Sequence, residues 1–331
     1  MGTRRRQPAR LDDVARDAGV HVSTVSRVLN GRGDSSIRPE TKQRILESAE
    51  RLRYRPHALA RGLRLAASGT IAIVGGPLRN PLWSQIIHAA FDRARERGYV
   101  VVLAEDSVDG VAADASQRLA NEGRIDGLLV LSGNASEWLR HQIADFGFPT
   151  VFAGRGYPGS SRNVVMREDS AVRLALDYLV ERGHTAIGYV EGPAELDTTR
   201  RRTTAFGLLW AERGLVGELV YAPHTERGGF SAVAEAIERL KPTACVVAGL
   251  NQVIGAMAAI RAARLCVPSD IDVITFDDDP LLDYLEGPPT SIRMPLHELG
   301  VAAVDALVAQ ISGDVPADIV LSTEPVLVVR R

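Results

Sequence analysis

Ser23, Thr24, Ser26 and Arg27 place three hydroxyls and one guanidinium within five residues. A guanidinium such as that of Arg27 can donate two parallel hydrogen bonds to guanine O6 and N7, and hydroxyls reach phosphates or base edges. The chemistry of this run is recognition of a nucleic acid, if one rigid face presents it; a solvated polar helix face is the alternative. Val22, Val25, Val28 and Leu29 recur at helical spacing and predict a helix over about residues 22–30. Before it, Leu11, Val14, Ala15 and Ala18 form a second apolar stripe, Asp12 and Asp13 suit a first turn, and Gly19 stops the helix. Only residues 19–21 separate the two, which is the spacing of a helix-turn-helix. A third helix is expected from about Pro39 to Leu52, with Ile45, Leu46, Ala49 and Leu52 facing the core.

Charge points the same way. The chain has 331 residues and a formal net charge of −2, but the charge is unevenly spread. Residues 1–64 hold 15 Lys and Arg against 7 Asp and Glu, a net +8; the other 267 residues hold 24 against 34, a net −10. A basic head on an acidic body fits a nucleic-acid module joined to a body that avoids nucleic acid. With 45% hydrophobic and 24% charged residues, the composition excludes a disordered chain, a collagen and a disulfide scaffold. Cys245 and Cys266 lie in or beside apolar runs and are expected as reduced thiols rather than a bridge. No apolar run approaches a membrane span, and no apolar segment follows the basic N-terminus, so the expectation is a cytoplasmic protein without membrane contact.

The run Val22-Ser-Thr-Val-Ser-Arg-Val-Leu-Asn-Gly31, within residues 11–64, resembles the headpiece of the lactose-repressor/galactose-repressor (LacI/GalR) family of transcription regulators, and the likeness extends over about residues 10–330. The resemblance implies base contacts from Val22, Ser23 and Arg27, phosphate contacts from Thr24 and Ser26, and a further DNA-facing position at Asn30. One departure is His21, which stands where the family usually has a small Ser as helix cap. Either the helix start is weaker or His21 itself touches the DNA backbone.

Residues 56–64 carry Ala58, Leu59, Ala60 and Leu63 on one stripe, but two turns are too short to hold a helix alone, and Gly62 weakens it further. Such a segment folds when it gains a partner. The resemblance makes it a hinge helix that pairs across a homodimer in the DNA minor groove, with Leu59 and Ala60 on the paired element, Leu63 as a wedge and Arg64 reaching the groove. A flexible linker is the alternative.

From Thr70 onward, β-branched runs alternate with amphipathic segments, and the pattern restarts after about residue 162. This predicts two doubly wound parallel-sheet lobes, with a ligand beyond the carboxyl ends of the strands. The resemblance implies a periplasmic-binding-protein-like core, crossed between lobes near Arg162, Ser291 and Ile319. The expected fold is thus a small all-α helix-turn-helix headpiece (10–55), a hinge and linker (56–69), and an α/β core (70–331). Lobe 1 takes about 70–162 and 292–319, lobe 2 about 163–291 and 320–331.

Nothing in the chain reads as catalytic. Gly75-Gly76 is not a dinucleotide fingerprint, no phosphate-binding loop or nucleophile elbow occurs, and the seven His residues have no metal-ligand spacing. No enzyme activity, cofactor or metal is expected. The resemblance instead marks effector-binding positions: Asn80 shaping a loop, Trp83 stacking on an apolar ligand face, Arg202 binding hydroxyls or carboxylates, and Asp277 accepting hydrogen bonds. Three departures stand beside them. Arg167-Glu168 replaces a frequent Asp-Asn, Gly249-Leu250 replaces Asn-Asp with Asn251 nearby, and Thr275 replaces a Gly. One acceptor fewer and one cation more, with Arg155 also near, favour an acidic or phosphorylated effector over a neutral sugar. The whole reads as a homodimeric repressor of a pseudo-palindromic operator, controlled by a small-molecule effector that is a sugar or an acidic metabolite. The chain shows no leucine heptads for a coiled-coil tetramer. A regulator with a protein co-effector, and a small-molecule receptor without DNA control, are the alternatives.

Overall fold

The computed structural model describes residues 9–29, 37–54, 67–75, 81–105, 117–131, 139, 141–142, 144 and 147–330, apart from the side chain at position 82. Asn30, Leu59, Ala60, Leu63, Arg64 and Asn80 therefore lie outside the described residues. The chain divides into two compact units, Met1–Ser68 and Gly69–Arg331.

The first unit holds α1 (Leu11–Ala18), α2 (Val22–Leu29) and α3 (Pro39–Arg51). Gly19 ends α1 in the left-handed region at φ 64°, which a side chain would resist. Val14, Ala15, Ala18, Val25, Ile45 and Ala49 form the core. Leu46, expected on the core face of α3, is 43% exposed, and Ser48 is buried in its stead. The Ser48 hydroxyl makes that burial tolerable: it donates to the Asp17 carboxylate at 2.6 Å and lies 3.3 Å from the Val14 carbonyl oxygen. Ser48 and Arg51 together hold the Asp17 carboxyl below its ordinary range.

The second unit contains two six-stranded sheets. The first has the order β11-β5-β4-β3-β1-β2 and the second β12-β10-β9-β8-β6-β7. In the first lie β1 (Thr70–Gly75), β2 (Val100–Glu105), β3 (Gly127–Val130), β4 (Thr150–Ala153), β5 (Asn163–Val165) and β11 (Ile319–Val320). In the second lie β6 (Ala186–Glu191), β7 (Val216–Tyr221), β8 (Ala244–Val247), β9 (Asp272–Phe276), β10 (Thr290–Arg293) and β12 (Val326–Val328). All pairings are parallel except that of β10 with β12. The central strands are buried throughout, as helices on both faces of a parallel sheet require. Helices α4 (Pro81–Glu96) and α9 (Leu296–Ile311) pack together on lobe 1, while α5 (Glu168–Glu181), α6 (Asp197–Arg213), α7 (Glu226–Leu240) and α8 (Leu250–Ala262) belong to lobe 2. Asp305 of α9 fastens the first pair by accepting two bonds from Arg93 of α4, each at 2.9 Å.

The crossings between lobes fall slightly later than the expected positions near Arg162, Ser291 and Ile319. Residues 163–165 form β5 and pair with β4, so they belong to lobe 1. Residues 290–293 form β10 of lobe 2, and Val320 pairs with Val165 in lobe 1. The cause at the first crossing is Asn163. Its side-chain amide donates to Asp318 at 2.8 Å and accepts from the Tyr157 amide at 2.7 Å, and its own backbone amide donates to Asp318 at 2.9 Å. A strand of three residues that opens on an asparagine is too short to show strand periodicity, so the sequence pattern missed it.

Asn163→Ala should cost about 2 kcal/mol, the net worth of two or three hydrogen bonds. A lower urea midpoint at unchanged slope is the expected readout.

Candidate functional site

The helix-turn-helix presents α2 by its N-terminal half. Ser23 and Arg27, one helical turn apart, are exposed, with Val22 and Thr24 half-buried beside them. Ser26, expected on the same outward side, is buried at 9% exposure. It lies one turn after Val22 and one turn before Leu29, both packed against the headpiece core, and so borders the inward stripe. His21 has a definite task. The Ser23 amide donates to its Nδ1 at 3.3 Å, and the Ser23 hydroxyl lies 2.8 Å from the same nitrogen. An imidazole acceptor thereby caps α2 where a hydroxyl would ordinarily do so.

The second site is a cleft in the two-lobed unit. Strand ends build it: Gly154 and Arg155 follow β4, Ala248 and Gly249 follow β8, and Asp277 follows β9. Helices supply Trp83, Glu168, Arg202 and Asn251, and His224 comes from the loop before α7. The topology puts these groups at the carboxyl ends of parallel strands, where open α/β sheets bind ligands.

Six expected residues converge here: Trp83, Arg155, Arg202, Gly249, Asn251 and Asp277. Arg167 does not. It precedes α5, donates from Nε to the Leu321 carbonyl at 3.3 Å and pairs with Glu324 at 3.0 Å. The next residue, Glu168, enters the cleft instead, so the extra cation read from Arg167-Glu168 becomes an extra anion.

Glu168 is buried against Arg202, with Oε2 2.6 Å from Nε. Arg202 also donates from Nη1 to the Ala248 carbonyl at 3.1 Å and lies 4.0 Å from the centre of the Phe276 ring. Burial works against its charge, but Glu168, Glu191 and Asp277 hold the guanidinium well above its ordinary value. Arg155 is held differently, over the Trp83 ring at 5.3 Å. Burial and then Arg202 lower its pKa. Asp277 has a left-handed backbone, φ 69°. Burial pushes its carboxyl up to about 7 against the pull of Arg202, and Glu168 and Glu191 raise it further. His224 is pushed down to about 4, first by burial and then by the two arginines, so the ring is neutral at physiological pH. Sequence reasoning missed Glu168 and His224 as cleft residues; the signal for His224 was its place just beyond the end of a strand.

Comparison with known proteins now becomes decisive. Residues 10–57 match the family model of bacterial regulatory proteins of the lacI family, and residues 176–331 match the periplasmic binding protein-like domain. The ribose operon repressor of Escherichia coli K12 is 30% identical over 97% of this chain and 99% of its own. The chain belongs to the lacI family. The HTH-type transcriptional repressor PurR of Aliivibrio salmonicida is 28% identical, with 98% of each chain covered. Among solved structures, a lac repressor dimer bound to operator and an anti-inducer matches with TM-score 0.84 and 26% identity, covering 98% of each chain. The protein is accordingly a DNA-binding transcription regulator under small-molecule control. Among the described residues no helix is long and apolar enough to cross a membrane.

Two outcomes test the local physics. His21→Ala removes the cap acceptor and should destabilise the headpiece by about 1 kcal/mol, with His21→Asn restoring most of it, both read by denaturation of the full chain. The carboxyl of Asp277 is raised in the folded state, so the folded chain binds a proton more readily than the unfolded one. Its contribution is thus lost as pH rises from about 4 to about 7. Asp277→Asn should remove that slope and be more stable than the parent at pH 8, by at most about 4 kcal/mol. Parallel pH–stability curves for the two proteins would refute the assignment.

Proposed function

We propose that the protein is a homodimeric, cytoplasmic repressor whose operator affinity is set by a small metabolite held in the cleft between its lobes. The observation that carries this reading is the combination of the exposed Ser23–Arg27 face on a capped second helix with a charged strand-end cleft. In this reading Arg27 pairs with a guanine edge, Val22 and Ser23 read neighbouring bases, and Thr24 holds a phosphate. Ser26 supports the helix from within. Asn30 extends the contact, and Leu59, Ala60, Leu63 and Arg64 form the paired hinge in the minor groove, with Leu63 as the wedge.

In the cleft, Trp83 and Arg155 belong to lobe 1, while Arg202, Gly249, Asn251 and Asp277 belong to lobe 2. A ligand that touches both sets favours one angle between the lobes. That preference is the free energy with which it can shift DNA affinity. Homodimerisation supplies the two-fold symmetry that a pseudo-palindromic operator demands.

Fluorescence anisotropy with a labelled inverted-repeat operator tests the proposal. Arg27→Ala should weaken specific binding by about 1–3 kcal/mol and relax preference at one base pair in each half-site. Equal weakening on every sequence would reduce Arg27 to a phosphate contact.

A further inference from the structure

Beside Gln252, whose Oε1 is buried without a hydrogen-bond partner, three charged side chains in the cleft hold unspent hydrogen-bonding capacity. Arg155 has no hydrogen bond or ion pair within the described structure; its cation lies over the Trp83 ring, with Asp277 a favourable charge beyond ion-pair distance. The Asp277 carboxylate has no hydrogen-bonding partner there either, although it is 8% exposed. Oε1 of Glu168 is buried without a hydrogen-bond partner, with Arg201 Nη2 no nearer than 3.9 Å, its sister oxygen being taken by Arg202. Buried polar groups left in this condition are costly, and the matching ligand is the one that relieves all three at once.

Arg155 wants an acceptor, and an anion suits it best, because burial disfavours its charge and only an opposite charge offsets that. The other arginines do not compete for this role. Arg202 is already neutralised by Glu168, and Arg167 lies outside the cleft on Glu324. Asp277 and Glu168 want donors, which hydroxyl groups supply. A second negative charge on the ligand would add to that of Glu168 with no second free cation beside Arg155 among the described cleft residues, so a phosphate dianion fits worse than a carboxylate. The indole of Trp83, 4% exposed, forms an apolar wall suited to a row of C–H bonds.

We infer that the effector is a small polyhydroxylated monocarboxylate, a sugar acid in chemical class, with its carboxylate on Arg155 and its hydroxyls on Asp277 and Glu168. This rests on the reading of the cleft as the effector site, and it narrows that reading to one class.

Isothermal titration calorimetry on the full chain decides it, with D-gluconate, D-glucuronate, D-glucose and D-glucose 6-phosphate as probes. At least one of the two acids should bind about 30-fold or more tighter than glucose and the phosphate ester. Arg155→Gln should abolish that advantage while Arg155→Lys keeps part of it, and Arg167→Gln should leave it intact. The ranking on the parent protein stands whether or not a variant folds. Binding of glucose or its phosphate equal to or tighter than the acids, or no heat from either acid at about 10 mM, overturns the inference. Those results leave the cleft reading in place. The cleft reading itself falls if a ligand that alters operator affinity binds with equal strength to Asp277→Asn and Arg202→Gln proteins.

Discussion

Burying a guanidinium is among the most demanding things a small domain can do, and the cleft of this protein is arranged around one. Arg202 is 6% exposed and Glu168 is 1% exposed. Each is tolerable only because of the other: the desolvation of both ions must be offset by a close pair with its remaining donors satisfied. The pair does more than cancel charge. Glu168 opens α5, Arg202 lies in the first turns of α6, its Nη1 reaches the end of β8, and the Phe276 ring beneath it ends β9. Four elements of lobe 2 thus share one electrostatic knot. The cavity wall is set by that knot; burial is the first cause of the altered acidities of Asp277, Arg155 and His224, and the charges of the knot modulate them.

The lobes are also joined by side chains. Asp197, at the start of α6 in lobe 2, accepts a hydrogen bond at 3.1 Å from the amide of Gly156 in lobe 1. Arg201, one turn along, donates to that same carboxylate at 2.9 Å, to the Met166 carbonyl at 2.9 Å and to the Gly154 carbonyl at 3.2 Å. The consecutive residues Arg201 and Arg202 divide the labour: one holds the lobes to each other, the other organises the pocket. Half-buried Arg201 can exchange its carbonyl partners for water at modest cost, whereas Arg202 cannot leave Glu168 without stranding a buried charge. Movement between lobes is therefore easier at Arg201 than at Arg202.

Much of this was legible in the sequence, because the features that define the fold are local. Gly19 after a helical stripe, Pro39 at a helix start, and the buried runs at Ile71–Gly75 and Ala244–Val247 announce their elements by residue type alone. The convergence of Trp83, Arg202 and Asp277 was visible through the resemblance, and Arg155 through the charge of its residue type. What escaped depends on a single residue's facing. Arg167 and Glu168 are neighbours, and which of them points into the cleft is decided by where α5 begins. Ser26 was assigned to the wrong side of α2 by the same uncertainty of one helical step. The capping role of His21 was hidden because an imidazole is a rare cap, though its geometry meets the same need as a hydroxyl. β5 was missed because three residues held by an asparagine carry too little pattern to read.

The adjacency of Asp277 and Asp278 shows how a ligand contact can be turned into a change between lobes. Asp277 faces the cleft, while Asp278 accepts from Ser291 at 2.7 Å, from Arg293 at 2.9 Å and from Arg330 at 2.7 Å. Those partners lie on β10 and just beyond β12, the stretches of chain that border the crossings. The carbonyl of Asp278 also lies within 3.5 Å of Nε2 of Gln85 on α4, in the other lobe. The backbone at Asp277 is held in the left-handed region, which leaves it little room to adjust by itself. If Asp277 holds the effector as proposed, a pull on its carboxylate passes to its neighbour, and through it to the carboxylate that fastens the closing strand and the carbonyl that touches α4. The acidic body carries −10 and gains nothing from approaching a duplex, so such a movement can alter DNA affinity only through the basic head and the segment that joins it.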